Sequence, residues 1–134
     1  MISVALVADS GPALEEMTRS VSTLARVSLV RHCYGRAPIG RALARCAPDL
    51  VLVDEMHWPR LALQRIEEIH STLPDARIVV RAERPDAGWL ADALRAGASA
   101  VVPATAGPDT LAVVLAEVVA QRWAGHAESA AVAA

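Results

Sequence analysis

The stretch Pro48-Asp49-Leu50-Val51-Leu52-Val53-Asp54 decides the fold class, because four consecutive apolar residues end at a carboxylate. A short run that is apolar on both faces is typical of a strand buried in a parallel sheet. Four similar runs, all rich in β-branched residues, lie at residues 2–8, 27–30, 78–80 and 100–102. The sequence therefore predicts five buried strands, the third of them at residues 50–53.

Segments with helical spacing separate these apolar runs. Prolines that fit the first turn of a helix open the first, third and fifth segments: Pro12, Pro59 and Pro108. Residues 39–46 make a short second helix, and a fourth lies between Asp86 and a C-capping Gly97. The alternation predicts an α/β domain with a doubly wound, five-stranded parallel sheet. This is a flavodoxin-like three-layer sandwich with strand order 2-1-3-4-5.

The chain of 134 residues has the size of one domain. We predict that residues 1–123 form this domain and that residues 124–134 are a flexible tail or the start of a linker. The net charge is −2, and the basic residues, all of them arginine, are scattered, which argues against direct binding of nucleic acid. No apolar run reaches the ~20 residues of a membrane span, and a signal-peptide pattern is absent. We therefore expect a cytoplasmic protein with no membrane contact, in which Cys33 and Cys46 are free thiols.

Two aspartates follow the predicted first and third strands. Ligands bind at the carboxyl ends of the strands in open α/β sheets, and strands 1 and 3 are neighbours in the predicted order. Asp9 and Asp54 would then face each other, an arrangement that suits Mg²⁺ and phosphoryl chemistry. The alternative is that each aspartate is an ordinary loop residue that caps a turn.

Three segments resemble those of response-regulator receiver domains. Residues 48–54 are similar to their third strand, residues 73–80 to the entry into their fourth, and residues 90–100 to their fourth helix and fifth strand. The sequences of these three segments are most similar to those of receivers joined to helix-turn-helix DNA-binding domains. The resemblance implies that Asp54 accepts a phosphoryl group from a histidine kinase. It also implies that Asp9, Asp54 and the backbone carbonyl of Met56 are metal ligands.

Four positions depart from the residues on which the receiver switch depends. Ala8 stands where a second acid would be, and Ala82 where a hydroxyl residue would be. Val101 takes the aromatic position and Ala104 the lysine position, with Val102 as the alternative alignment for the lysine. The chain contains no lysine that could replace it. The lost acid implies that Mg²⁺ binding, if it occurs, is weak, and the lost hydroxyl and lysine imply a degenerate switch.

The loop after Asp54 also departs from the family, because Pro59 comes one residue late. This places Trp58 beside the crevice, where it could cover the site, serve as an interface residue, or simply pack under the loop.

Arg81 is the remaining candidate cation near the site. It could pair with a phosphoryl group or with Asp54, although a surface arginine beside Glu83 is the reading that we favour. Glu55 is a weaker candidate to replace the missing acid, because adjacent side chains of a strand point to opposite faces.

Three functions remain open. The first is an atypical receiver that regulates transcription through an attached or partner output, with phosphorylation-independent or weakened switching. The second is a conventional Mg²⁺-dependent receiver phosphorylated at Asp54. The third is a small-ligand-binding or enzymatic domain, but no glycine-rich phosphate loop or nucleophile-base pair supports it, so we expect no enzyme. Expected partners are a second copy of the chain, a histidine kinase and a DNA-binding output domain beyond residue 134. Trp89 and Trp123 are candidate dimer anchors, with core packing as the alternative.

Overall fold

A computed structural model describes the backbone of residues 1–133 and the side chains of residues 1–121. Five strands form one parallel sheet of order β2-β1-β3-β4-β5. Their bounds are β1 Ile2–Val7, β2 Val27–Cys33, β3 Leu50–Asp54, β4 Arg77–Ala82 and β5 Ala100–Pro103. The predicted flavodoxin-like fold and strand order are confirmed.

Each strand is followed by a helix, as the alternating pattern predicts. The helices are α1 Pro12–Ser22, α2 Gly40–Cys46, α3 Pro59–Thr72, α4 Ala87–Ala96 and α5 Gly107–Ala133. Pro12 and Pro59 lie in first turns, where a missing backbone N–H costs nothing. The Asp86 side chain caps α4 by accepting from the Trp89 amide. A single 3-10 turn at Ala104–Ala106, which the sequence did not predict, precedes α5.

Two apolar cores flank the sheet, as expected of a three-layer sandwich. On one face, Val51 and Val53 of β3 pack against α2, α3 and α4. On the other face, Leu50 and Leu52 pack against α1 and α5. Because side chains alternate along a strand, Asp54 follows Leu50 and Leu52 and points to the α1 side of the sheet.

Strand β2 runs three residues beyond the predicted end at Val30. It lies at an edge of the sheet and carries the polar residues Arg31 and His32. An edge strand is solvated on its open side, so its last residues need not be apolar. The extension brings the loop after Cys33 to the same edge as Asp9 and Asp54.

Cys33 and Cys46 are free thiols, as predicted. Within the described part of the chain, we find no helix with the length and apolar character needed to span a bilayer. The side chains of residues 122–134, which include Trp123 and the whole of the predicted tail, lie outside the described residues, so the predictions about both remain predictions.

Candidate functional site

Asp54 ends β3 as a buried carboxylate, with 6% of the residue exposed. Its Oδ1 accepts a hydrogen bond from Nη1 of Arg81 at 3.0 Å. Its Oδ2 accepts from the backbone N–H of Met56 at 3.0 Å. Both carboxylate oxygens therefore have a donor, which satisfies a charge that would otherwise be costly to bury.

Arg81 is the cross-strand neighbour of Asp54, because the β3–β4 register pairs these two residues. Its Nε also donates to Oε2 of Glu16, on α1, at 2.7 Å. The guanidinium thus lies between two carboxylates, and only 12% of its side chain is exposed. Burial alone lowers the pKa of Arg81, but hydrogen bonds and charges from Asp54 and Glu16 outweigh it and raise that pKa. Arg81 is a fixed cation.

Two expectations about neighbouring residues can now be compared with the structure. The favoured reading of Arg81 as a surface arginine beside Glu83 is wrong, because the Asp54 and Glu16 carboxylates hold its guanidinium inside the domain. Glu55, the weaker candidate for the missing acid, is buried and turned toward β4. There its Oε1 accepts from the backbone N–H of Glu83 at 2.7 Å.

Asp9 lies just beyond the end of β1 and is held by a second arginine. Nε of Arg36, in the loop after β2, donates to Oδ2 of Asp9 at 2.8 Å. Nη2 of Arg36 donates to the backbone carbonyl oxygen of Met56 at 3.4 Å. The Arg36 guanidinium carbon also lies 5.7 Å from the centre of the Trp58 ring, within cation–π range. Arg36 therefore links three sequence-predicted site residues.

The loop that carries Arg36 is anchored by buried polar contacts. Gly35 lies so close to Met56 that an added Cβ would stand 2.2 Å from the methionine sulfur. Nε of Arg65, on α3, donates to the carbonyl oxygen of Gly35 at 2.6 Å. Glu68 accepts from the backbone N–H groups of Ile39 and Gly40, the latter at 2.7 Å. The position of Arg36 is thus set by α3 on one side and by Met56 on the other.

The segment after Asp54 has an unusual backbone. Met56 and His57 have φ angles of 59° and 53°, in the left-handed region that residues other than glycine adopt at a cost. The turn closes where the Trp58 N–H donates to the Glu55 carbonyl oxygen at 3.0 Å. It buries the Met56 side chain while leaving half of Trp58 exposed. Packing under the loop is therefore not the role of Trp58.

The four degenerate positions lie at or near the carboxyl ends of β1, β4 and β5. The β1–β3 register pairs Val7 with Val53, so Ala8 follows on the strand beside Asp54. Ala8 and Ala82 are both fully buried. Val101 is partly buried against the α3 and α4 core. Ala104 is half-buried in the 3-10 turn, and the alternative position, Val102, is buried. None of the five side chains can donate a hydrogen bond to a phosphoryl oxygen.

The resemblance implies a Mg²⁺ ion at Asp9, Asp54 and the Met56 carbonyl. Magnesium prefers free carboxylate oxygens with water and phosphate completing an octahedron. Here Arg36 engages both Asp9 and the Met56 carbonyl, and Arg81 engages Asp54. Among residues 1–121, no cluster of three or more histidine, cysteine or acidic side chains could hold a metal. The donor set in this arrangement does not fit a divalent cation, and we derive no step through one.

Sequence reasoning missed Arg36 and Glu16. The sequence predicts an end of the second strand at Val30, three residues too early. The loop after Cys33, which carries Arg36, is therefore not recognised as a strand-end loop. A signal existed, since Tyr34-Gly35-Arg36 follows a strand that neighbours β1 in the predicted order. Glu16 carried no comparable signal, because an acidic residue on an amphipathic helix is ordinarily solvent-facing.

Trp89 is not a free anchor. It is partly buried against the core on the α3 and α4 side, and its indole N–H donates to the carbonyl oxygen of Pro59 at 3.0 Å. The larger exposed apolar side chains nearby are Leu90 and Leu94 of α4.

No protein-family model and no curated protein sequence matches the chain. Solved structures do resemble it. A LuxR-family two-component response regulator from Aurantimonas sp. SI85-9A1 has a TM-score of 0.79 and 21% identity, over 90% of this chain and 86% of that one. The response regulator domain of CheB from Thermotoga maritima has a TM-score of 0.73 and 21% identity, over 90% and 95%. A Burkholderia pseudomallei protein provisionally named pilus assembly-related has a TM-score of 0.74 and 24% identity, over 90% and 91%.

These likenesses establish the fold. The chain has the five-stranded parallel α/β architecture of response-regulator receiver domains, with Asp54 at the end of the third strand.

Proposed function

We propose that this chain is an atypical receiver domain of a response regulator, in which phosphorylation at Asp54 is blocked or weakened. The observation that carries the proposal is the Arg81–Asp54 ion pair at 3.0 Å. An aspartate that attacks a phosphorus atom needs an uncommitted carboxylate oxygen. In this domain one oxygen is bound by Arg81 and the other by the Met56 amide.

The energetics support a blocked site. Separating one partner from a buried ion pair costs about 3–5 kcal/mol, because the charge left behind is desolvated and unpaired. Arg81 is additionally tied to Glu16, so it cannot swing away without leaving a second carboxylate unpaired. A phosphorylated Asp54 would meet alanines at positions 82 and 104, where the family has a hydroxyl and a lysine. These neighbours therefore favour neither phosphorylation of Asp54 nor a conformational response to the phosphoryl group.

The test is incubation of the protein with acetyl phosphate and Mg²⁺, followed by intact mass. We expect the mass to stay unchanged in the wild type. Arg81→Gln removes the cation that binds Asp54 while keeping a side chain of similar reach, and we expect this variant to gain partial phosphorylation that an added Asp54→Asn change abolishes. Stoichiometric phosphorylation of the wild-type chain at Asp54 would overturn the proposal.

The second candidate is a conventional phosphoacceptor receiver. The observation in its favour is that Asp54, Asp9 and the Met56 carbonyl all lie at the carboxyl edge of the sheet, as in that class. Any Mg²⁺ binding in this candidate is weak, because Ala8 removes one acid and two arginines compete for the remaining carboxylates. Rapid labelling of the wild type, lost in Asp54→Asn, would select it.

The remaining assignments follow from the proposal. A receiver of this kind is a non-enzymatic, cytoplasmic signalling domain that controls transcription through an output domain or a partner, and it is approached by a histidine kinase. LuxR-family resemblance supports a transcriptional output, whereas the pilus-related neighbour leaves other outputs open. Homodimerisation is part of the proposal, and exposed Leu94 on α4 supports it. Light scattering of the wild type and Leu94→Glu checks it, since a dimer through α4 should dissociate in the variant.

A further inference from the structure

Arg36 occupies the place between an acidic side chain and a backbone carbonyl where a cation is expected. Its guanidinium contacts the Asp9 carboxylate at 2.8 Å and the Met56 carbonyl oxygen at 3.4 Å. Both acceptors are oxygens, one of them charged, which are the groups that a hard divalent cation also seeks. The Trp58 ring, 5.7 Å away, adds a third attraction that a cation feels and a neutral side chain does not.

The loop that carries Arg36 is fixed by hydrogen bonds to two residues of α3, Arg65 and Glu68. Arg65 is 8% exposed, and it uses its Nε to hold the Gly35 carbonyl and its Nη1 to hold Glu68 at 3.0 Å. Glu68 in turn holds the start of α2, five residues after Gly35. The hydrogen bonds of Arg65 and Glu68 favour one position of the loop over the open alternatives. They do so although burying an arginine and fixing a loop both cost free energy.

Each of the three carboxylates at the crevice already has a guanidinium partner without a metal, although two arginines serve all three. Asp9 is paired with Arg36, and Asp54 shares Arg81 with Glu16. A divalent ion is drawn to uncompensated carboxylate charge, and each paired guanidinium both cancels that charge and repels the ion. The Arg36–Asp9 pair is partly exposed, with side-chain exposures of 55% and 33%. Such a pair can be opened by substitution without unfolding the domain.

We propose that Arg36 is the resident cation of this site and excludes divalent metal ions from Asp9 and the Met56 carbonyl. The inference rests on the proposed function in that both concern the Asp54 crevice, but it depends on a different arginine. It gives the domain a fixed charge state at the position where a receiver of the conventional kind responds to metal.

The experiment is titration of the full chain with Mg²⁺ by isothermal titration calorimetry. The wild type should show no saturable binding at millimolar metal. Arg36→Gln removes the cation while keeping a side chain of similar reach, and it should bind Mg²⁺ at least about tenfold more tightly than the wild type. Adding Asp9→Asn to Arg36→Gln should abolish the new binding, which locates it at this site.

The matched control is Arg95→Gln. Arg95 is also exposed and also pairs with an aspartate, Asp92 at 3.0 Å, but on α4. Both variants change the net charge equally, so a gain in both would assign the effect to overall charge and overturn the proposal. No gain in folded Arg36→Gln, or saturable Mg²⁺ binding by the wild type, would also overturn it. The titration does not measure phosphorylation. Phosphorylation of the wild type would therefore contradict the proposed function but not the role of Arg36.

Discussion

Asp54 and Arg81 are paired in register on adjacent strands and joined by a hydrogen bond of 3.0 Å between Oδ1 and Nη1. Both side chains are nearly buried, at 8% and 12% exposure. The alignment of the two strands places these residues side by side, and Glu16 of α1 holds the same guanidinium. The ion pair makes Asp54 part of a structural contact between β3, β4 and α1.

This contact predicts an asymmetric pair of stability changes. Arg81→Met should lower the free energy of unfolding by about 3 kcal/mol, because Asp54 and Glu16 both lose their partner inside the domain. Asp54→Asn should cost about 1 kcal/mol, because Arg81 keeps Glu16 and the amide oxygen still accepts a hydrogen bond. Urea denaturation of both variants and of the double variant measures the coupling. Equal losses in the two single variants would contradict a guanidinium shared between two acids.

Glu68 should matter well beyond its own helix. Glu68→Ala leaves the backbone N–H groups of Ile39 and Gly40 without their acceptor, so we expect a loss of about 2 kcal/mol in unfolding free energy. Hydrogen exchange should accelerate at those two amides. Glu67→Ala, an exposed neighbour on the same helix, is the control and should change stability by less than about 0.5 kcal/mol. Protection of both amides in Glu68→Ala would rule out this capping role.

Gly97 ends α4 in a backbone conformation and a space that exclude a side chain. Its φ is 126°, and an added Cβ would lie 2.6 Å from Cγ of His70 on α3. Gly97→Ala should therefore destabilise the domain by about 3 kcal/mol, combining backbone strain with a steric clash.

Gly11 supplies the matched control for that substitution. Its φ is 136°, and nothing lies within 4 Å of an added Cβ. Gly11→Ala then carries the strain without the clash and should cost only about 1 kcal/mol. The difference between the two thermal unfolding midpoints isolates the α3–α4 contact. Equal shifts would mean that His70 moves aside freely.

The sequence was sufficient for the architecture because buried strands leave a simple signal. The runs at β1, β3, β4 and β5 are apolar on both faces, and the prolines and Gly97 mark helix ends through fixed backbone angles. The sequence underestimates the length of edge strand β2 because its last residues are polar. It therefore does not identify Arg36, in the loop after β2, as a site residue. The pattern identifies elements; it does not fix the partners of long side chains.

The sequence likewise identifies only some residues of the candidate site. Asp9 and Asp54 were found because they follow apolar runs directly. The guanidinium groups that hold them could not be assigned, because an arginine side chain reaches several residues away and its partner depends on tertiary packing. The sequence allows Arg81 to pair with Asp54 or to lie exposed beside Glu83, and it favours the exposed position. The β3–β4 register places the two residues side by side, and the hydrogen bond between their side chains decides for the pair.

The pH dependence of stability should carry a contribution from Cys33. Burial raises the pKa of its thiol, an effect that the nearby Arg31 only partly offsets. The unfolded chain therefore releases this proton at lower pH than the folded domain. The contribution is fully present below the ordinary thiol pKa of about 8.5 and is lost as the pH rises through the folded value. Denaturant midpoints measured from pH 7 to pH 10 should fall less steeply in Cys33→Ala than in the wild type. Cys46→Ala is the control for cysteine removal, and a decline in Cys33→Ala as steep as that of the wild type would assign the alkaline loss to other groups.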